Sequence, residues 1–195
     1  MTDYLDIQGF TDRPLSWRAW LPVVSLDQAT AEQIAVLESS HPQAKVSDYY
    51  RLLVWQPLIL EQRSAAFNAI MYAPGGLARS DRELASTVVS RINGCVYCAS
   101  VHAQRYQQLS KQLAPIPAVF ADPLDAGDTP RERAIAQFSA GLTVAPEEIG
   151  PNDLQPLYEA GLSDLEILDL IHSVAIFAWA NRLMLNLGEP IATHD

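Results

Sequence analysis

The chain has 195 residues, and 13 Lys+Arg against 23 Asp+Glu leave a formal net charge of −10. That length suits one large domain or two small ones, able to bury about 70% of the unfolded surface without cross-links. A hydrophobic content of 49% excludes a disordered chain. The acidity argues against nucleic acid or an anionic membrane as partner, because phosphate binding needs a basic face.

The first 28 residues read as an irregular arm, in which only Leu21 to Leu26 suggests extended chain. A single helical domain is expected over residues 29–195. Its helix starts are marked by Ser or Thr with Glu or Gln three residues on, the box that satisfies the free N–H groups of a first turn. The pairs are Thr30/Gln33, Ser80/Glu83, Thr129/Glu132 and Ser163/Glu166. Apolar residues at helical spacing follow each, for example Leu84, Val88 and Ile92, or Ile167, Leu170, Ile171 and Val174. Further helices are expected at about Ser47 to Trp55, Leu58 to Tyr72, Cys95 to Leu113 and Asn152 to Ala160. Pro57, Pro74-Gly75-Gly76, Asn93-Gly94, the Pro115/Pro117/Pro123 stretch, Pro146 to Pro151 and Gly161 read as breakers. With no run of strands, the fold class is all-α. Phe177, Trp179 and Met184 read as core, as does His172 unless it lies at an interface; His41 and His194 read as loop and tail.

Two segments resemble each other at an offset of 83 residues: SDRELASTVVSRI from Ser80 and SDLEILDLIHSVA from Ser163. A duplicated helical unit and shared helix grammar both account for the match. In the second copy Ala178 and Asn181 stand where the first has Cys95 and Cys98, so chemistry is expected in the first.

No clean apolar run nears the 18 residues of a membrane span, the longest being Val174 to Ala180. The opening MTDYLDIQGF lacks a signal-peptide pattern, so a cytoplasmic location is expected, where thiols stay reduced. Cys95 and Cys98 are the only cysteines, and a lone pair three apart points to redox or metal chemistry rather than a structural framework. They open a helix after Asn93-Gly94, where the free N–H groups and the macrodipole favour a thiolate. At about 100° per residue, Cys95, Cys98 and His102 fall within an arc of roughly 60°. Cβ atoms three apart on a helix lie about 5–6 Å from each other against the about 3.5–4.5 Å of a disulfide, so a bond closed there is easily reduced.

If the helices on either side of Gly94 fold back antiparallel, Glu83 lies roughly 13 Å from the turn, level with about residue 104. That brings it within reach of His102 and defines a Glu–His–Cys proton relay. Other readings of the same residues are a capping or Arg105-paired Glu83, a merely hydrogen-bonded His102, cysteines packed as small hydrophobes, and a structural zinc site completed by Glu83 or His172.

Glu83, eleven residues, Cys95-Val96-Tyr97-Cys98, three residues and His102 resemble the motif of the AhpD-like alkylhydroperoxidase branch of the carboxymuconolactone decarboxylase superfamily. The match is specific over Ala73 to Gln107 and looser elsewhere. The ARSDREL start and the final apolar helix ending in Asn181-Arg182 resemble the peroxidase-related subgroup. The resemblance implies an AhpD-like helical bundle, often with a repeated unit, that forms homo-oligomers. It also implies a thiol peroxidase with no bound cofactor or metal. Cys98 would attack the hydroperoxide, Cys95 would close the disulfide, and Glu83 and His102 would relay protons. A lipoyl-like or protein dithiol would reset the pair. The alternative is a dithiol/disulfide oxidoreductase or a redox sensor working on a protein partner. Tyr97 departs from the pattern, standing where AhpD itself has His, and the missing cysteine pair in decarboxylase members argues against lactone decarboxylation.

Overall fold

Three of the four capping boxes form as the sequence predicts, and the fourth does not. In the computed structural model, which describes residues 4–193, Thr30, Thr129 and Ser163 each accept from the backbone N–H three residues on, and Gln33, Glu132 and Glu166 reach back to them. They start α1 (Ala31–Ser40), α7 (Pro130–Val144) and α9 (Asp164–Leu187). Between them lie α2 (Asp48–Leu53), α3 (Pro57–Tyr72), α4 (Arg79–Ile92), α5 (Val96–Ser110), α6 (Ile116–Ala121) and the short α8 (Gln155–Glu159). The architecture is the expected all-α bundle.

The proline-rich stretch read as a breaker contains α6. Pro117 occupies its first turn, where a missing N–H has no partner to lose, so proline starts this helix rather than ending it. The extended chain of the arm lies at β1 (Leu15–Ala19) instead of residues 21–26. It pairs antiparallel with β2 (Gly188–Ala192), Leu15 facing Ala192 and Ala19 facing Gly188. The helix expected from Asn152 is a 3-10 turn, Pro151–Leu154, running into α8.

α4 is the centre of the bundle, packed by α5, α7 and α9 and buried over every position from Asp81 to Ser90. Leu84, Val88, Ala99, Phe120, Ile135 and Leu170 form the main core around it. Arg82 is also buried, and its guanidinium donates to the carbonyls of Ile70, Ala73 and Gly75 and pairs with Asp169 at 3.0 Å. It therefore ties the end of α3 and the Gly75-Gly76 turn to α9. That turn needs glycine: Gly76 has φ +62°, and a Cβ there would collide with the Asp169 carboxylate.

α9 has 24 residues and a mean hydropathy of 1.3 in its most apolar window, so by length and composition it could cross a membrane. The count of clean apolar runs missed this because Asp169, His172 and Asn181 interrupt the helix. Here its buried face, Leu170, Val174 and Phe177, belongs to the core. Trp179 sits on its outer side rather than in the core, and His172, also exposed, is open to the interface the sequence allowed. Phe177 and Met184 are core. His194 lies outside the described residues.

Candidate active site

Gly94, at φ +78°, reverses the chain between α4 and α5 and lays the two helices side by side. Cys95 caps α5, and Cys98 is its third residue, so both sulfurs sit at the helix N-terminus. Cys98 and His102 then fall one turn apart on the same face. Both cysteines are free thiols and nearly sealed, 2% and 5% exposed. They share a small apolar cluster with Trp17 from β1, Tyr49 and Leu52 from α2, and Met184 from α9.

Glu83 is fully buried and does not cap its helix. α4 starts two residues early, with Ala78 at the cap position and no side-chain cap bond. Glu83 instead turns inward: Oε2 lies 2.5 Å from His102 Nδ1, and Oε1 accepts from Arg79 Nε at 2.7 Å and Nη2 at 2.5 Å. Arg105, weighed as an alternative partner, bonds Gln108. Burial pushes the Glu83 carboxyl up, but His102 and Arg79 outweigh it and hold the group below its ordinary value. An ionised Glu83 requires the proton on His102 Nδ1, which fixes the tautomer and leaves Nε2 as the nitrogen that gains or loses a proton. The imidazole is held edge-on to Phe177 with centroids 4.2 Å apart.

The two thiols behave as one proton-sharing unit. Their mutual hydrogen bond, ahead of burial, draws the Cys95 thiol below its ordinary value. The same bond, then burial and the neighbouring sulfur's charge, pushes Cys98 well above. The first proton therefore leaves the pair more easily than the second. Asn181 faces both sulfurs and lowers each, while bonding Ser90 and Asn93. It stands at the position that matches Cys98 in the internal resemblance, so the second segment supplies a polar support to the thiols of the first.

A cavity of about 340 Å³ reaches this unit from outside, lined by Cys98, Glu83, His102, Tyr97 and Phe177 but not by Cys95. The four residues singled out in the sequence thus converge, with Cys98 in front and Cys95 behind. Sequence reasoning missed Arg79, Arg63, Tyr49 and Asn181. Arg79, four residues before Glu83, carried a readable helical ion-pair spacing; the others come from elements whose approach no local pattern announces. His41, read as loop, ends α1 and lines the cavity. Among the described residues no cluster of three or more His, Cys, Asp or Glu is arranged to hold a metal ion.

An all-helical scaffold carrying buried vicinal thiols and a carboxylate–imidazole pair narrows the field of relatives. Residues 57–140 match the carboxymuconolactone decarboxylase family. An uncharacterized peroxidase-related protein from Ralstonia eutropha JMP134, described as an alkylhydroperoxidase AhpD core, has a crystal structure similar to this one, with a TM-score of 0.74 and 25% identity over 87% of this chain and 90% of its own. The uncharacterized protein YdfG of Bacillus subtilis is 25% identical over 116 residues, 59% of this chain and 78% of its own length. The debrominase Bmp8 shares the fold at 16% identity, with a TM-score of 0.67 over 85% of this chain and 88% of its own. A carboxymuconolactone decarboxylase family domain thus covers residues 57–140, and the likeness to AhpD-like peroxidase-related structures supports the AhpD-like branch of that superfamily.

Proposed function

We propose that the protein is a thiol-dependent peroxidase that reduces hydroperoxides and is reset by an external dithiol. The observation that carries this reading is the placement of Cys98 in one cavity with a His102 already oriented by Glu83. The proton leaving the thiol pair rests on His102 Nε2, and Cys98 passes its own proton to Cys95. The Cys98 thiolate attacks the outer oxygen of the hydroperoxide, the O–O bond breaks, and Nε2 protonates the departing alkoxide. The products are an alcohol and a Cys98 sulfenic acid. Cys95 then attacks the Cys98 sulfur; water leaves and a disulfide remains. A dithiol returns both electrons and both protons and becomes a disulfide itself.

Burial favours this over direct exchange with a folded protein's disulfide, since neither sulfur is open enough for such a partner. Bmp8, a debrominase on the same fold, is the reason the substrate must come from the cavity rather than from the architecture.

Cys98→Ser is expected to abolish hydroperoxide consumption, and Cys95→Ser to leave a sulfenic acid that dimedone traps. Counting thiols before and after one equivalent of hydroperoxide checks the wild type: two are lost, and a dithiol restores both. Two thiols surviving excess peroxide in folded protein would overturn the reading.

A further inference from the structure

Arg63, on α3, is 7% exposed, yet no carboxylate pairs with it among the described residues. Within those residues its one side-chain hydrogen bond goes from Nη1 to the Tyr50 hydroxyl at 3.4 Å. Aromatic faces surround the rest: the guanidinium carbon lies 4.5 Å from the Phe67 centroid and 5.7 Å from those of Tyr49 and Tyr50. Such rings attract a cation but accept none of its five N–H bonds along their fixed directions. A lysine so placed could shed its proton; an arginine stays charged. Native interiors pair their charges, so an unpaired guanidinium facing a cavity is built for an anion that arrives from outside.

A second observation points the same way. The Tyr49 hydroxyl is buried, has no hydrogen-bond partner among the described residues and lines the same cavity. Burial pushes that phenol up to about 12, so it stays a donor. Arg105 also lines the cavity, and burial followed by the Arg105 and Arg63 charges holds His41 below its ordinary value. Glu83 is the only carboxylate among the lining residues, and Arg79 and His102 already satisfy it. An excess of positive charge therefore lines one pocket of a chain whose net charge is −10.

We infer that Arg63, with the Tyr49 hydroxyl and Arg105, forms a carboxylate subsite, and that the cavity takes a small organic acid with an apolar body. The body lies among Phe67, Tyr72 and Phe177, and the carboxylate bonds the guanidinium. A volume of about 340 Å³ suits one ring or a short chain, at the low end of the about 300–1,000 Å³ of ligand pockets. This rests on the peroxidase reading for its consequence: the acid is either the hydroperoxide or the thiol that resets the enzyme.

Calorimetric titration of the reduced protein with 4-phenylbutanoate and with 4-phenylbutanol tests the subsite without turnover. The acid is expected to bind about tenfold tighter than the alcohol, and Arg63→Gln to remove that preference. Equal affinities in the wild type overturn the proposal, whatever the variant's folding. Kinetics then locate the carboxylate. A lower KM for a short hydroperoxy acid than for its methyl ester assigns it to the oxidant. A lower KM for dihydrolipoate than for dihydrolipoamide assigns it to the reductant. Discrimination in neither overturns the subsite's role in substrate choice. Acid binding that persists while both thiols survive peroxide would refute the peroxidase reading and leave the subsite standing.

Discussion

Glu83 shows how one residue can satisfy a local rule in the sequence and a different one in the fold. Ser80-x-x-Glu83 and Ser163-x-x-Glu166 have the same grammar, yet Glu166 turns back to its own N-cap while Glu83 turns into the interior. Arg79 and His102 decide between them, since a buried carboxylate with two charge-assisted partners outweighs one exposed cap bond. The fold-back arithmetic that placed Glu83 near residue 104 anticipated the His102 contact. It could not separate the cap from the relay, because that depends on what α5 brings alongside. On the proposed reaction, Glu83→Gln is expected to lower hydroperoxide turnover by about 10²–10⁴-fold, the usual weight of general acid–base catalysis. Because the folded-state value of Glu83 is depressed, its contribution to stability is complete above the ordinary glutamate range and is lost as pH falls through the lower folded value. Denaturant unfolding measured from neutral to acid pH should show wild type and Glu83→Gln converging at the acid end.

At the scale of elements, what the sequence announces is what a side chain does to its own helix. Caps, breakers and apolar spacing located α1, α3, α5, α7 and α9 to within a few residues. The Cys-x-x-Cys motif fell at the start of α5 as its Asn-Gly break required. The failures are long-range. β1 is invisible without β2, since a five-residue strand carries little pattern of its own and is held by a partner from the other end of the chain. Their close approach depends on Gly188, where a Cβ would strike the Trp17 ring and the Arg18 carbonyl. Gly188→Ala is therefore expected to cost about 1–3 kcal/mol by overpacking and to lift Trp17 from the thiols. Faster alkylation of Cys95 and Cys98 by a maleimide, with helical content unchanged, would be the signature. Unaltered alkylation would show that the ribbon does not shield the pair.

Across the whole molecule, the sum of charges and their placement carry different information. A net charge of −10 argued against polyanionic partners but gave no hint of a cationic pocket, because Arg63, Arg79 and Arg105 come from three different helices. The same holds for Arg131, which reaches from α7 to Asp81 of α4 at 2.8 Å and Glu166 of α9 at 2.9 Å, joining the two segments that resemble each other. Arg131→Met should leave two like charges facing each other and cost about 2 kcal/mol, read as a lower denaturant midpoint at neutral pH.

The β1–β2 ribbon also sets an order of events at birth. Trp17 is made early, yet its indole N–H bonds the Met184 carbonyl, 167 residues further along. The strand that clamps it, from Gly188, follows later still. While a ribosome is adding those residues at about 5–20 per second, Cys95 and Cys98 have already emerged without their cover. A nascent chain is thus open to oxidants for several seconds before the finished protein can govern which of them it meets.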